Sequence, residues 1–167
     1  MTPEAAFDQY HQAVYRFVYR FTRSPDAAED ITQECFLALL RTPGRYQPSR
    51  GGMQAYLFAI ARNLALKRYR DFRNEHPLEA CNPPAAPDPR PALDIASAVE
   101  AAVAALPALQ REALILFEYE GVTLEEIATI VDADAGAVKS RLYRARERLR
   151  RALAEYRTRS PRGTSGS

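Results

Sequence analysis

The chain has 167 residues, a net charge of +2, 47% hydrophobic and 26% charged residues, which is the profile of a water-soluble globular protein of one ordinary domain or two small ones. No apolar run approaches the roughly 20 residues that span a bilayer, and the opening MTPEAAFDQYHQ lacks the basic and apolar regions of a signal peptide, so a cytoplasmic location without membrane insertion is expected. Cys35 and Cys81 supply neither a disulfide framework nor a zinc spacing, His11 and His76 lack partners at ligand spacing, and no nucleophile, carboxylate pair or glycine-rich phosphate loop stands out; neither enzymatic chemistry nor a cofactor is expected.

The periodicity predicts an all-α fold. From Glu4 to Thr22, the residues Phe7, Tyr10, Val14, Phe17, Val18 and Phe21 recur at steps of three and four, which makes one amphipathic helix with an aromatic face. Ser24-Pro25-Asp26 ends it and starts the next, since serine caps, proline fits a first turn and acids favour the positive end of the helix dipole. That second helix is expected to run to about Arg41, with Ala28, Ile31, Cys35, Ala38 and Leu39 buried. Its outer surface carries Asp26, Glu29, Asp30, Gln33 and Glu34 with Leu37 beside them. Such a surface suits either plain solvation or a protein partner.

Thr42-Pro43-Gly44 breaks the second helix, and RYQPSRGG reads as a loop. A third helix is expected from Met53 to about Tyr69 on a core stripe of Leu57, Ile60, Ala61 and Leu64, with a cationic far end of Arg62, Lys67, Arg68, Arg70 and Arg73. Basic residues interleaved with Tyr46, Tyr56, Phe58, Tyr69 and Phe72 offer phosphate neutralisation together with aromatic faces on which unpaired bases stack. Taken singly, these aromatics also fit a core. Residues 77–91 then hold six of the 12 prolines, an extended and fairly stiff tether. The expected division is an N-terminal helical module over residues 1–74, a Pro-rich linker over 75–92, a C-terminal module over 93–157 and a disordered tail over 158–167.

The C-terminal module opens with a helix from about Leu93 to Leu106, breaks at Pro107 and continues from Ala108 to about Glu120. Thr123 and Glu126 stand at the spacing of a capping box, so a helix begins at Leu124 with Leu124, Ile127, Ala128 and Val131 on one face. Asp132-Ala133-Asp134 makes the turn, and a second helix starts near Ala135. Val138, Leu142, Ala145 and Leu149 form its packing stripe, and Lys139, Ser140, Arg141, Tyr143, Arg144, Arg146 and Arg148 fill the other faces. A helix of this kind, held across another by a short turn, has the geometry that enters a DNA major groove. Charge is also sorted along the chain: residues 139–162 hold ten Lys or Arg against Glu147 and Glu155, whereas residues 112–138 hold seven Asp or Glu and no base. With so small a total charge, attraction to phosphate must come from one patch.

These stretches, in this order across a linker, resemble the bacterial RNA polymerase sigma factors of the extracytoplasmic-function group. DAAEDITQECFLALL and GGMQAYLFAIARNLALKRYR resemble the second conserved region, and LPALQREALILFEYEGVTLEEIATIVDADAGAVKSRLYRARERLR the fourth. The resemblance implies that the first module holds the clamp of core polymerase through Asp30, Gln33, Glu34 and Leu37. It implies that Tyr46, Arg50, Phe58, Arg62, Asn63, Lys67 and Arg70 open the minus-ten element and hold single-stranded DNA, with a base flipped at a cost of about a few kcal/mol. Lys139, Ser140, Arg141, Tyr143 and Arg144 are implied to read the minus-thirty-five duplex, and the fourth region to meet the polymerase flap. An anti-sigma partner and a monomeric free state are implied as well. Asp132 stands where glycine is typical, Asp134 where serine or threonine caps, and Tyr56 where tryptophan is common; aspartate serves both turn positions. Two rival readings are a dimeric helix-turn-helix repressor or activator that binds DNA without polymerase, and an adaptor whose basic helix meets an acidic protein.

Overall fold

Among the described residues, five helices begin just after a short polar side chain that accepts a hydrogen bond from the first turn, and those caps set where the elements start. The computed structural model describes residues 1–76 and 94–159. Thr2 caps α1 (Pro3–Thr22) and Ser24 caps α2 (Pro25–Arg41), and proline occupies the first turn of both, where its missing N–H costs nothing. Two short 3-10 turns, Pro43–Arg45 and Pro48–Arg50, lead to α3 (Met53–Glu75). Asp94 caps α4 (Ile95–Ala104), and α5 (Ala108–Leu114) passes into a π-helical turn, Ile115–Tyr119. Thr123 caps α6 (Leu124–Ile130), Asp134 caps α7 (Ala135–Ala152), and α8 is Ala154–Arg159. Among the described residues every regular element is helical, as the periodicity predicts.

The N-terminal half buries Val14, Phe17, Val18 and Phe21 of α1 against Ile31, Cys35 and Leu39 of α2 and Leu57, Phe58 and Ala61 of α3. Each large apolar side chain removed from water contributes roughly 1.5–3 kcal/mol, so this three-helix packing, rather than helix propensity, holds the half together. In the C-terminal half, Leu114, Leu116, Val122, Ile127, Ile130, Val138, Leu142 and Ala145 are buried, and the two sets join into one continuous apolar cluster. No helix among the described residues is long and apolar enough to cross a membrane.

Three sequence expectations shift. Helix α3 runs through Asn74 and Glu75, six residues past Tyr69, because nothing from Arg70 to Glu75 breaks a helix. It ends at His76, the residue before Pro77, whose backbone has left the helical region, as a residue preceding proline is disfavoured there. The remainder of the expected linker, residues 77–92, lies outside the described residues. Thr158 and Arg159, expected in a disordered tail, belong to α8; residues 160–167 lie outside the described residues. The helix expected to run unbroken from Ala108 to Glu120 contains the π turn, closed by Glu120 N–H donating to Ile115 O at 3.1 Å and Val122 N–H to Leu116 O at 2.9 Å.

The turn between α6 and α7 follows its sequence chemistry. Asp132 takes a left-handed backbone with φ of 52°, a conformation short polar side chains tolerate. Asp134 accepts from Ala137 N–H at 2.7 Å. Asp134→Ala is therefore expected to lower stability by about 1 kcal/mol, read as a lower urea midpoint with the slope unchanged.

Candidate nucleic-acid interface

On α7 the apolar stripe of Val138, Leu142 and Ala145 is buried, which turns Lys139, Ser140, Tyr143 and Arg144 outward together; Tyr143 is 66% exposed. Arg141 does not join them. It is partly buried, and its Nη1 lies inside without a hydrogen-bond partner among the described residues. Its position explains this: Arg141 is three residues after Val138 and four before Ala145, on the packing stripe itself. Arg146 is held within its own half, bonded to Glu118 at 2.7 Å with its guanidinium 5.5 Å from the Phe117 ring centre.

The corresponding face of the N-terminal half is built on the Pro-containing loop and α3. Gly51 has φ of 138°, a backbone that side-chain-bearing residues rarely adopt, and Gly52 precedes the first turn of α3. Tyr46 folds back over this bend, its hydroxyl donating to Gly51 O at 3.4 Å and its ring 5.4 Å from that of Tyr56. Arg50 is exposed, and so are Asn63, Lys67 and Arg70, which recur at steps of four and three along one face of α3. Phe58 and Arg62 are placed differently. Phe58 is 0% exposed and sits 5.4 Å from the Phe17 ring, so it has no face to offer a base in this conformation. Arg62 is turned into the boundary between the halves.

Asp30, Gln33, Glu34 and Leu37 lie on one exposed stripe of α2, again at three- and four-residue steps. Leu37 is 43% exposed and Leu40, which periodicity did not single out, 53%. Asp30 also meets Arg68 of α3 at 3.3 Å. The patch thus combines acid with bare leucine, a composition suited to a protein surface.

The two halves are packed against each other through pairings that no local sequence pattern announces, one of them made by Arg62, expected at the minus-ten element. Arg62 donates from Nε to Glu112 Oε2 at 2.9 Å and from Nη2 to Oε1 at 3.2 Å; the side chains are 14% and 0% exposed. Burial pushes the Glu112 carboxyl pKa above its ordinary value, against the opposite pull of Arg62 and Arg141. Glu120 receives Arg16 at 3.2 Å and Arg20 at 3.7 Å, and Arg20 lies 4.3 Å from the Tyr119 ring centre. Arg111 donates to Phe21 O at 2.7 Å and to Leu106 O at 2.8 Å. Thr129 and Ile130 of α6 face Arg45, Arg50, Gly51 and Tyr56 across a cleft of about 200 Å³, so the loop face is partly covered by the helix-turn-helix. One signal for Glu112 was legible: Leu109, Glu112, Ala113 and Leu116 share helical spacing, and an acid inside an apolar stripe needs a partner.

Family profiles match both halves. The sigma-70 region 2 profile covers residues 6–75 and the sigma-70 region 4 profile residues 96–149. The chain is 34% identical over 156 residues to the ECF RNA polymerase sigma factor SigE of Mycolicibacterium smegmatis, an alignment covering 89% of this chain and 60% of that protein. It is 30% identical over 169 residues to the RNA polymerase sigma-H factor of Pseudomonas aeruginosa, covering 89% and 86%. The sigma factor RpoE of Bartonella quintana, crystallised with the anti-sigma factor NepR, superposes with a TM-score of 0.70 at 26% identity over 90% of this chain and 96% of that one. With an N-terminal half matching region 2, a helix-turn-helix half matching region 4 and both in the family's order, the chain belongs to the sigma-70 family as a promoter-directing RNA polymerase sigma factor of the extracytoplasmic-function group.

Proposed function

We propose that promoter recognition is divided between two faces of this chain. Lys139, Ser140, Tyr143 and Arg144 of α7 read the minus-thirty-five duplex, while Tyr46, Arg50, Asn63, Lys67 and Arg70 hold the opened minus-ten strand once α6 has moved away from the loop. Arg62 joins the second set only after leaving Glu112. Phe58 supports that face from beneath, and Arg141 supports the first. The Asp30, Gln33, Glu34 and Leu37 stripe meets the polymerase clamp, and the C-terminal half meets the flap. The likeness to RpoE in its NepR complex supports an anti-sigma partner for the same chain, which acts in the cytoplasm as a monomer when free.

The observation that carries this reading is the outward grouping of Lys139, Ser140, Tyr143 and Arg144 over a buried apolar stripe. Arginine reads a guanine edge with two hydrogen bonds, worth about 1–3 kcal/mol of discrimination. Arg144→Ala in reconstituted holoenzyme is therefore expected to weaken binding to a matched promoter about 5- to 150-fold. Binding to the same promoter with a scrambled minus-thirty-five element should change much less, as read by fluorescence anisotropy at fixed salt. An equal loss on both templates would reduce Arg144 to a phosphate contact.

A further inference from the structure

Glu112 is a charged side chain with no exposure, and the charges of two arginines from different halves of the molecule act on it. Arg62, from α3, takes both carboxylate oxygens. Arg141 lies on α7, which packs against α5 within the same half as Glu112. It is near enough for its charge to act on the carboxylate, yet its Nη1 is buried with no hydrogen-bond partner among the described residues. Guanidinium is never discharged in proteins, so a buried, unpaired N–H of this kind is costly and is relieved only by an acceptor. The anion on which its charge acts, Glu112, is already taken by Arg62. Two cations thus compete for one buried anion, and the packed arrangement satisfies the one from the other half.

We propose that Glu112 is a partner-exchange latch: bound to Arg62 it holds the halves together, and on their separation it turns to Arg141. The exchange removes the main electrostatic obstacle to opening. Pulling Arg62 away would otherwise leave an uncompensated charge in an apolar setting, and Arg141 supplies the replacement from the same half. It also links the two faces. Arg62 is released as Arg141 gains an acceptor, and Arg141 lies one position from Ser140 and two from Lys139 and Tyr143, so its anchoring fixes how α7 presents them. That last consequence rests on the DNA-reading roles proposed above, whereas the exchange itself requires no DNA.

The test uses the full chain without polymerase or nucleic acid. Donor and acceptor dyes are placed at Glu29→Cys on α2 and Ala152→Cys on α7, both exposed, in a Cys81→Ser background. Cys35 stays unlabelled because it is buried and its thiol pKa is pushed up to about 12 by that burial. Energy transfer is followed as KCl is raised, and the concentration at half-separation is read. Arg62→Met is expected to lower that midpoint at least twofold. Arg141→Met is expected to raise it at least twofold, because Glu112 loses its alternative partner, and Arg141→Lys, which keeps charge without the planar fork, to raise it by less. Helical circular dichroism confirms folding, and the lysine variant carries the test if the methionine variant does not fold. A midpoint unchanged or lowered by loss of the Arg141 guanidinium overturns the exchange. Failure of the DNA-reading roles would appear instead in the Arg144→Ala promoter measurement and leave these midpoints as they are.

Discussion

Phe58→Ala is expected to destabilise the N-terminal half by about 3–5 kcal/mol, a large part of the roughly 5–15 kcal/mol by which a domain of this size is stable. The ring is 0% exposed and packs against Phe17 where α1 and α3 meet. Truncation therefore removes the apolar contacts and leaves a hole walled by two helices that the short loops cannot draw together. Urea unfolding followed by circular dichroism checks this, and a loss below about 1 kcal/mol would place Phe58 outside the core. Tyr46, by contrast, lies half-buried over the loop, with its hydroxyl bonded to Gly51 O. Its truncation should cost far less stability and act on minus-ten binding, so the two aromatic residues are separated by which measurement each disturbs.

Arg62→Met carries the second large effect. Glu112 then sits at 0% exposure without the two hydrogen bonds that compensate its charge, and breaking a buried pair from one side typically costs about 3–5 kcal/mol. The molecule avoids that penalty by letting the halves come apart, which returns Glu112 to water or to Arg141. Small-angle scattering should show an expanded chain, while circular dichroism shows its helices intact. Adding Glu112→Leu to the same chain removes the stranded charge and fills the space with apolar volume, so the double variant is expected to regain most of the compaction. If the single variant is as compact as the parent, the pair is not what holds the halves.

Most of the helical framework was legible because its signals are local. Ser24-Pro25, Thr123 and Asp134 are capping chemistry, and the steps of three and four in α1, α2 and α7 name most of the buried faces, although Phe7, expected on the aromatic face of α1, is 44% exposed near the start of that helix. The π turn was not legible, since Ile115–Tyr119 reads as ordinary helix and its distinguishing hydrogen bonds answer to packing. The face residues on α7 and α2 stand outward as periodicity implies. Phe58 and Arg141 do not, and both lie on or beside the stripes already assigned to the core: Phe58 follows Leu57, and Arg141 falls between Val138 and Ala145. A family's motif says that such residues matter; helical angle says which way they point. The contacts between halves were out of reach because Arg62 and Glu112 are 50 residues apart, and no local pattern pairs one buried acid with one distant base.

This chain gives core polymerase its promoter choice, and run-off transcription on a genomic library with core polymerase, with and without the protein, reads that choice as transcripts. Discrete transcripts are expected from a limited set of start sites that share upstream elements, and only when both components are present. A reconstituted holoenzyme that initiates from no template, while core polymerase remains active with another sigma factor, would mean that the chain does not direct promoter choice.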